Sequence, residues 1–107
     1  MVDEAEFSGL RKGLLEFAIL TLVAVEKVYV ADIITLLADT PFATQEGTLY
    51  PLLSKLRREL LVDYEWVESE AGPPRKYYSL TDKGETRLAD LKTYWRDLTT
   101  TLESLGR

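Results

Sequence analysis

Residues 44–61 read Thr44-Gln45-Glu46-Gly47-Thr48-Leu49-Tyr50-Pro51-Leu52-Leu53-Ser54-Lys55-Leu56-Arg57-Arg58-Glu59-Leu60-Leu61. Leu49, Leu52, Leu53 and Leu56 recur at helical spacing and define one apolar face, which leaves Thr48, Ser54, Lys55, Arg57 and Arg58 on the outer one. Alone, this is an amphipathic helix. Its neighbours decide the fold.

Upstream, Tyr29 to Asp39 carries Ile33, Leu36 and Leu37 at helical spacing and predicts a short helix. Thr40-Pro41-Phe42-Ala43 ends it, because a residue before proline is pushed out of the helical region. Thr44 is then placed to cap the next helix. Two helices joined by a tight connection, the second one basic, outline a helix-turn-helix. Pro51 removes a helical donor, and two arrangements accommodate it. Either the helix starts at Thr44 and bends at Pro51, the preferred reading, or it is capped by Thr48 with Pro51 in its first turn.

Further upstream, Leu14 to Val25 has only Glu16 and Thr21 as polar residues. A helix apolar nearly all round must be covered on more than one side, yet this run is short of the ~20 residues that span a bilayer. It predicts a core helix with a spare face for a partner, starting near Ser8 as N-cap. Arg11 and Lys12 in its first turns suit a phosphate better than they suit the helix dipole; simple solvation is the alternative.

Downstream, Val62 to Glu68 and Arg75 to Leu80 are rich in β-branched and aromatic residues, with Val62, Tyr64 and Trp66 alternating with Asp63 and Glu65. Ala71-Gly72-Pro73-Pro74 between them reads as a hairpin tip. A helix-turn-helix followed by a hairpin is a winged helix, with Arg75 and Lys76 where a wing meets phosphate or minor groove. A last helix begins at Thr81-Asp82. Leu88, Leu91, Trp95, Leu98, Leu102 and Leu105 form an unbroken heptad seam along it. At 1.5 Å per residue it is ~36 Å long, more than this small domain covers, so its far half is expected to meet a second copy. The expected class is mainly α with a small β-hairpin (α+β): a winged helix-turn-helix over residues 1–81 and a dimerisation helix over 82–107, forming one compact unit.

Composition narrows the function. The chain has 107 residues and is 46% hydrophobic, enough for one core and too little for two ordinary domains. It has neither Cys nor His, so thiol chemistry and the commonest base and metal ligand are missing, and no carboxylates show paired catalytic spacing. No enzyme activity, metal or cofactor is expected. Asp3, Glu4 and Glu6 replace the basic head of a signal peptide, which points to the cytoplasm. The net charge of −5 opposes nucleic-acid binding, but it is unevenly placed. Residues 44–60 carry three cations against two carboxylates, net +1, whereas residues 1–43 carry three against seven, net −4.

Three motifs in order, Gly13-Leu14-Leu15-Glu16, Glu46-Gly47-Thr48-Leu49-Tyr50-Pro51-Leu52-Leu53 and Gly72-Pro73-Pro74-Arg75-Lys76-Tyr77-Tyr78 followed by Leu80-Thr81-Asp82-Lys83-Gly84, resemble the PadR family of bacterial transcriptional regulators. The resemblance runs from about Leu10 to Leu102 and is to the smaller subgroup with a single C-terminal helix. It implies a cytoplasmic winged-helix homodimer joined by the last helix, usually a repressor that releases DNA when a small molecule binds. Some members hold flat aromatic ligands between aromatic side chains at the dimer centre. Trp95 stands on the seam where such a role, or plain packing, would fall. Two departures stand out. Tyr29-Val30-Ala31-Asp32-Ile33 replaces a Tyr-Gly-Tyr-Glu-Ile-like start, and Leu60 stands where the family mostly has glycine, a strained choice if its φ is positive.

The resulting expectations are specific. Double-stranded DNA and a second copy are the partners, with a small aromatic effector as a third. Gln45 and Thr48 face base edges; Thr44, Tyr50, Ser54 and Lys55 meet phosphates; Arg75 and Lys76 reach from the wing; Arg11 and Lys12 add phosphate contacts. Leu88, Leu91, Trp95, Leu98, Leu102 and Leu105 make the dimer. The rival is a winged-helix protein-interaction module that no longer binds DNA, favoured by the acidic balance and the altered second helix.

Overall fold

A computed structural model describes residues 4–107; Asp3 of the acidic N-terminus lies outside the described residues. A 3-10 turn (Glu4–Phe7) leads into α1 (Ser8–Val25), α2 (Val30–Leu37) and α3 (Glu46–Arg58). Strands β1 (Val62–Ser69) and β2 (Gly72–Leu80) form an antiparallel hairpin, and α4 (Asp82–Leu105) closes the chain. This is the α+β winged helix with a long final helix that the sequence predicts.

The helix starts differ from expectation by one or two residues. Ser8 is not the cap of α1 but its first residue: the 3-10 turn runs straight into the helix, Phe7 holds the cap position, and no side chain caps it. Thr44 does not cap α3 either. Gln45 is the extended residue before the helix, and its side chain makes no capping bond. α3 continues across Pro51 to Arg58, so Pro51 is neither at a first turn nor a terminus. Gly47 and Pro51 are both exposed, which lets water reach the Gly47 carbonyl that loses its partner. In α2, Val30, Ile33 and Leu37 are buried but Leu36 is 53% exposed, so the inward face is narrower than its apolar spacing suggests.

α3 ends in a Schellman turn. The Leu61 amide donates to the Leu56 carbonyl (2.9 Å) and the Leu60 amide to the Arg57 carbonyl (2.9 Å). Leu56 and Leu61 are fully buried, supplying the apolar contact that goes with this motif. The turn requires a left-handed residue, and Leu60 takes it with φ 64°. A left-handed L-residue costs about 1–2 kcal/mol, and no packing offsets this at a side chain 64% exposed.

The hairpin is tighter than predicted. Ser69 pairs with Gly72, so Glu70 and Ala71 form the tip, and Pro73 and Pro74 lie within β2 rather than at the turn. In a two-stranded ribbon each strand is an edge, so proline's missing donor is tolerated. The register shifts between Val67 and Ser69, opposite the two prolines. The connection between α1 and α2 extends this ribbon: Val28 donates to and accepts from Tyr78 (3.1 and 2.7 Å) along the outer side of β2.

The core draws Leu15, Ile19, Leu20 and Val23 from α1, Val30, Ile33 and Leu37 from α2, and Leu49, Leu53 and Leu56 from α3. Val28, Leu61, Val62, Tyr78 and Leu88 complete it. Leu88 is therefore consumed inside its own protomer and is not free for a dimer seam; Leu91 is half-buried against the same core. Beyond them Trp95, Leu98, Leu102 and Leu105 stay exposed as α4 leaves the body. The radius of gyration is 15.7 Å, against about 13 Å for a compact domain of this length.

Candidate nucleic-acid interface

The first turns of α3 lie between two clefts, and each is bordered by cations. The first, about 480 Å³, lies against the start of α1 and is lined by Arg11, Lys12, Ala43, Thr44, Gln45 and Thr48, with Ser8, Gly9 and Leu15. The second, about 380 Å³, lies between α3 and the wing and is lined by Tyr29, Val30, Ala31, Glu46, Tyr50, Trp66, Pro74, Arg75 and Lys76. Gln45 and Thr48 are exposed at the lip, whereas Thr44 is half-buried. The fold thus brings together Arg11, Lys12, Thr44, Gln45 and Thr48 on one side and Tyr50, Arg75 and Lys76 on the other. Val30 is buried in the core, while Ala31 lines the second cleft, so the departure at these two positions leaves the cleft open where a tyrosine would stand in the family pattern.

Several cations have internal tasks. The Arg11 guanidinium donates to the carbonyls of Pro41 (3.4 Å) and Ala43 (3.2 Å), so it ties the turn between α2 and α3 to α1. Lys55 pairs with α1 and with the end of its own helix: its Nζ lies 3.2 Å from the Glu16 carboxylate and 3.7 Å from that of Glu59. The hydrogen bond to Glu16, then the charges of Glu16 and Glu59, raise the Lys55 pKa above its ordinary value. Arg87 of α4 shares the same two carboxylates at 3.5 and 4.0 Å. Ser54 does not reach either cleft at the head of α3; it lines a third, about 460 Å³, with Arg57, Arg58, Tyr64, Lys76 and Tyr78. Arg57 pairs with Asp63 (3.3 Å), and the Tyr64 amide followed by Arg57 holds the Asp63 carboxyl below its usual pKa.

The wing's cations rest on aromatic rings, which periodicity alone does not announce. Arg75 lies 4.7 Å over the Tyr29 ring, and Lys76 lies 4.5 Å over Tyr64 and 5.3 Å over Trp66. A cation over a ring keeps its charge and donors while its stem is held. The signal that could have shown this is the alternation of Tyr64 and Trp66 opposite Lys76 and Tyr78, since cross-strand partners share a face.

A separate apolar groove of about 470 Å³ is lined by Leu14, Phe17, Ala18, Thr21, Leu22, Leu36, Leu37, Thr40, Phe42 and Trp95. Trp95 is 40% exposed at its edge. Among the described residues no group of His, Cys, Asp or Glu is placed to hold a metal ion, and no helix is long and apolar enough to cross a membrane.

Comparison with known proteins agrees with this geometry. The transcriptional regulator PadR-like family matches residues 19–90. A PadR-like transcription factor from Bacteroides fragilis superposes with a TM-score of 0.81 at 47% identity, covering 96% of this chain and 99% of that one. A PadR-like transcriptional regulator from Bacillus cereus gives 0.78 at 39% identity, covering 88% and 92%. Bacillus subtilis PadR, solved in complex with operator DNA, gives 0.67 at 26% identity; the match covers 73% of this chain and 46% of that longer one.

Proposed function

Because the chain belongs to the PadR-like family of transcriptional regulators, we propose that it binds operator DNA as a homodimer and represses transcription in the cytoplasm. The observation that carries this reading is the exposed head of α3, set between two clefts that are edged by Arg11 and Lys12 on one side and Arg75 and Lys76 on the other. A relative that shares the fold is known with operator DNA. Gln45 and Thr48 read base edges, glutamine being able to pair bidentately with adenine. Thr44, Tyr50 and Ser54 set register through phosphates, Arg75 and Lys76 add the wing's contacts, and Lys12 joins them from α1 with Arg11 behind it; Lys55 reaches a phosphate only by leaving Glu16 and Glu59.

The dimer follows from surplus apolar surface. Trp95, Leu98, Leu102 and Leu105 are exposed on α4, and a groove of matching character lies on α1 and α2. A second copy laying its α4 across this groove covers both, with Leu91 at the margin, and sets two reading helices about 34 Å apart on a palindromic site. A small aromatic effector bound beside Trp95 would shift the spacing of those helices and release the operator.

Binding of genomic fragments, beginning with the DNA upstream of its own gene, measured against salt, tests the reading. Affinity should fall steeply with a log–log slope of about −0.9 per phosphate neutralised, and footprints should show two symmetric half-sites. Titrating flat aromatic compounds while following Trp95 fluorescence in a Trp66→Phe background checks the effector.

The internal pairing of Lys55 and Arg57, with the net charge of −5, favours a second reading, a protein-interaction module. It predicts no salt-dependent DNA binding at all.

A further inference from the structure

Two parts of the reading head meet at one side chain. Tyr29 is the extended residue before α2, and its amide donates to the Asp32 carboxylate at 3.4 Å. Its neighbour Val28 is bridged to Tyr78 of the wing by two backbone hydrogen bonds. The Tyr29 ring stands 5.3 Å from that of Tyr77 at a 54° tilt, and the Arg75 guanidinium lies over it at 4.7 Å. Tyr29 is half-buried, fixed on its backbone from both sides, and carries on its exposed surface a cation that has no carboxylate partner among the described residues.

We propose that Tyr29 is a positioning residue for DNA binding: its ring holds the Arg75 guanidinium ready for a phosphate and locks the wing to the helix-turn-helix. The inference rests on the DNA-binding reading above. An arginine stem free in solvent loses many rotamers on meeting a phosphate, and one already laid on a ring loses few. A carboxylate in the same place would hold the stem by neutralising the charge that DNA needs. A ring holds it and leaves the donors of the guanidinium edge free. The Val28 bridge makes this more than a local contact, because the segment that carries Tyr29 is hydrogen-bonded to the strand that carries Arg75.

The test is a cycle of Tyr29→Leu, Tyr29→Phe and Arg75→Ala in the full chain, read by DNA affinity and its salt slope. Leucine keeps apolar bulk without a ring, and phenylalanine keeps the ring. Arg75→Ala should weaken binding severalfold and lower the magnitude of the salt slope by about one. Tyr29→Leu should reproduce most of the affinity loss, Tyr29→Phe should bind like the parent, and adding Tyr29→Leu to Arg75→Ala should cost no more than about twofold further, as coupled residues do. Without DNA, the side-chain protons of Arg75 should show an upfield ring-current shift that is kept in Tyr29→Phe and lost in Tyr29→Leu. Independent, additive losses, or a phenylalanine variant as weak as leucine, would overturn the proposal while the DNA-binding reading stood. A parent protein that bound no DNA would overturn both, and the ring-current shift would then report a clamp with a purely architectural use.

Discussion

Leu88 and Leu102 hold equivalent heptad positions on one helix, yet Leu88 is 5% exposed and Leu102 66%. The seam is continuous in sequence and divided in space. The near half of α4 is part of the protomer's own core, anchored by the Thr81 cap that accepts from the Gly84 amide and by the Lys83 ammonium on the Glu59 carbonyl. The far half leaves that core with its leucines uncovered. A periodic apolar pattern therefore reports that a helix face is meant to be buried and does not say against which molecule.

Substitutions along α4 can break this contrast. The largest effect is expected at Gly84, where an added Cβ would lie 2.0 Å from the Leu61 carbonyl oxygen, which also accepts the Thr81 amide. Backbone cannot yield there cheaply, so Gly84→Ala should cost more than about 4 kcal/mol and abolish the cooperative thermal transition. Leu88→Ala should cost about 2–5 kcal/mol by denaturant unfolding, the usual range for a buried leucine. Leu102→Asp should act elsewhere: the protomer's circular dichroism should stay unchanged while sedimentation shows the proposed dimer weakened tenfold or more, about 1.4 kcal/mol. Equal loss of fold in Leu88→Ala and Leu102→Asp would erase the division.

Smaller effects sharpen the joint between α3 and α4. Leu60→Gly relieves the left-handed strain and should stabilise the protein by up to about 1 kcal/mol, since the Leu60 carbonyl that accepts from Thr81 is retained. Smallest of all is the quartet of Glu16, Lys55, Glu59 and Arg87, whose side chains are partly exposed, so that solvent screens their charges. Because the folded Lys55 pKa is raised, its contribution is present below the ordinary value of 10.5 and is lost as pH rises through the folded one. Glu16→Gln should reduce that alkaline loss, Glu59 retaining the rest, as followed by thermal melts between neutral and alkaline pH.

Much of the fold was legible because local chemistry and tertiary demand agree. The apolar face of α3, the start of the last helix at Thr81-Asp82 and the suspicion attached to Leu60 all rest on near neighbours, and the structure has each of them; the alternation in β1 holds for Val62 and Tyr64 but ends at Trp66, which is exposed. Where several solutions satisfy the local rules, reading from sequence missed. Pro73-Pro74 looked like a turn, but a two-stranded ribbon has no interior strand to exclude proline. Thr44 looked like a cap, but Gln45 already provides the extended residue. Of the candidate site, the residue types were readable and their partners were not. Arg11 meets carbonyls some thirty residues away, and Lys55 meets Glu16 across a similar interval. Tyr29 finds Arg75 only because the hairpin folds back beside α2.

Gly84 has a consequence for how such a chain can vary. Every base change at a glycine codon is either silent, a stop, or the gain of a residue with a side chain, and any side chain begins with the Cβ that the Leu61 carbonyl forbids. No conservative step exists at this position, so drift there is confined to synonymous change. The crossing of α4 over the turn after α3 should therefore be inherited unaltered in lineages whose exposed residues on α3 and the hairpin are free to change.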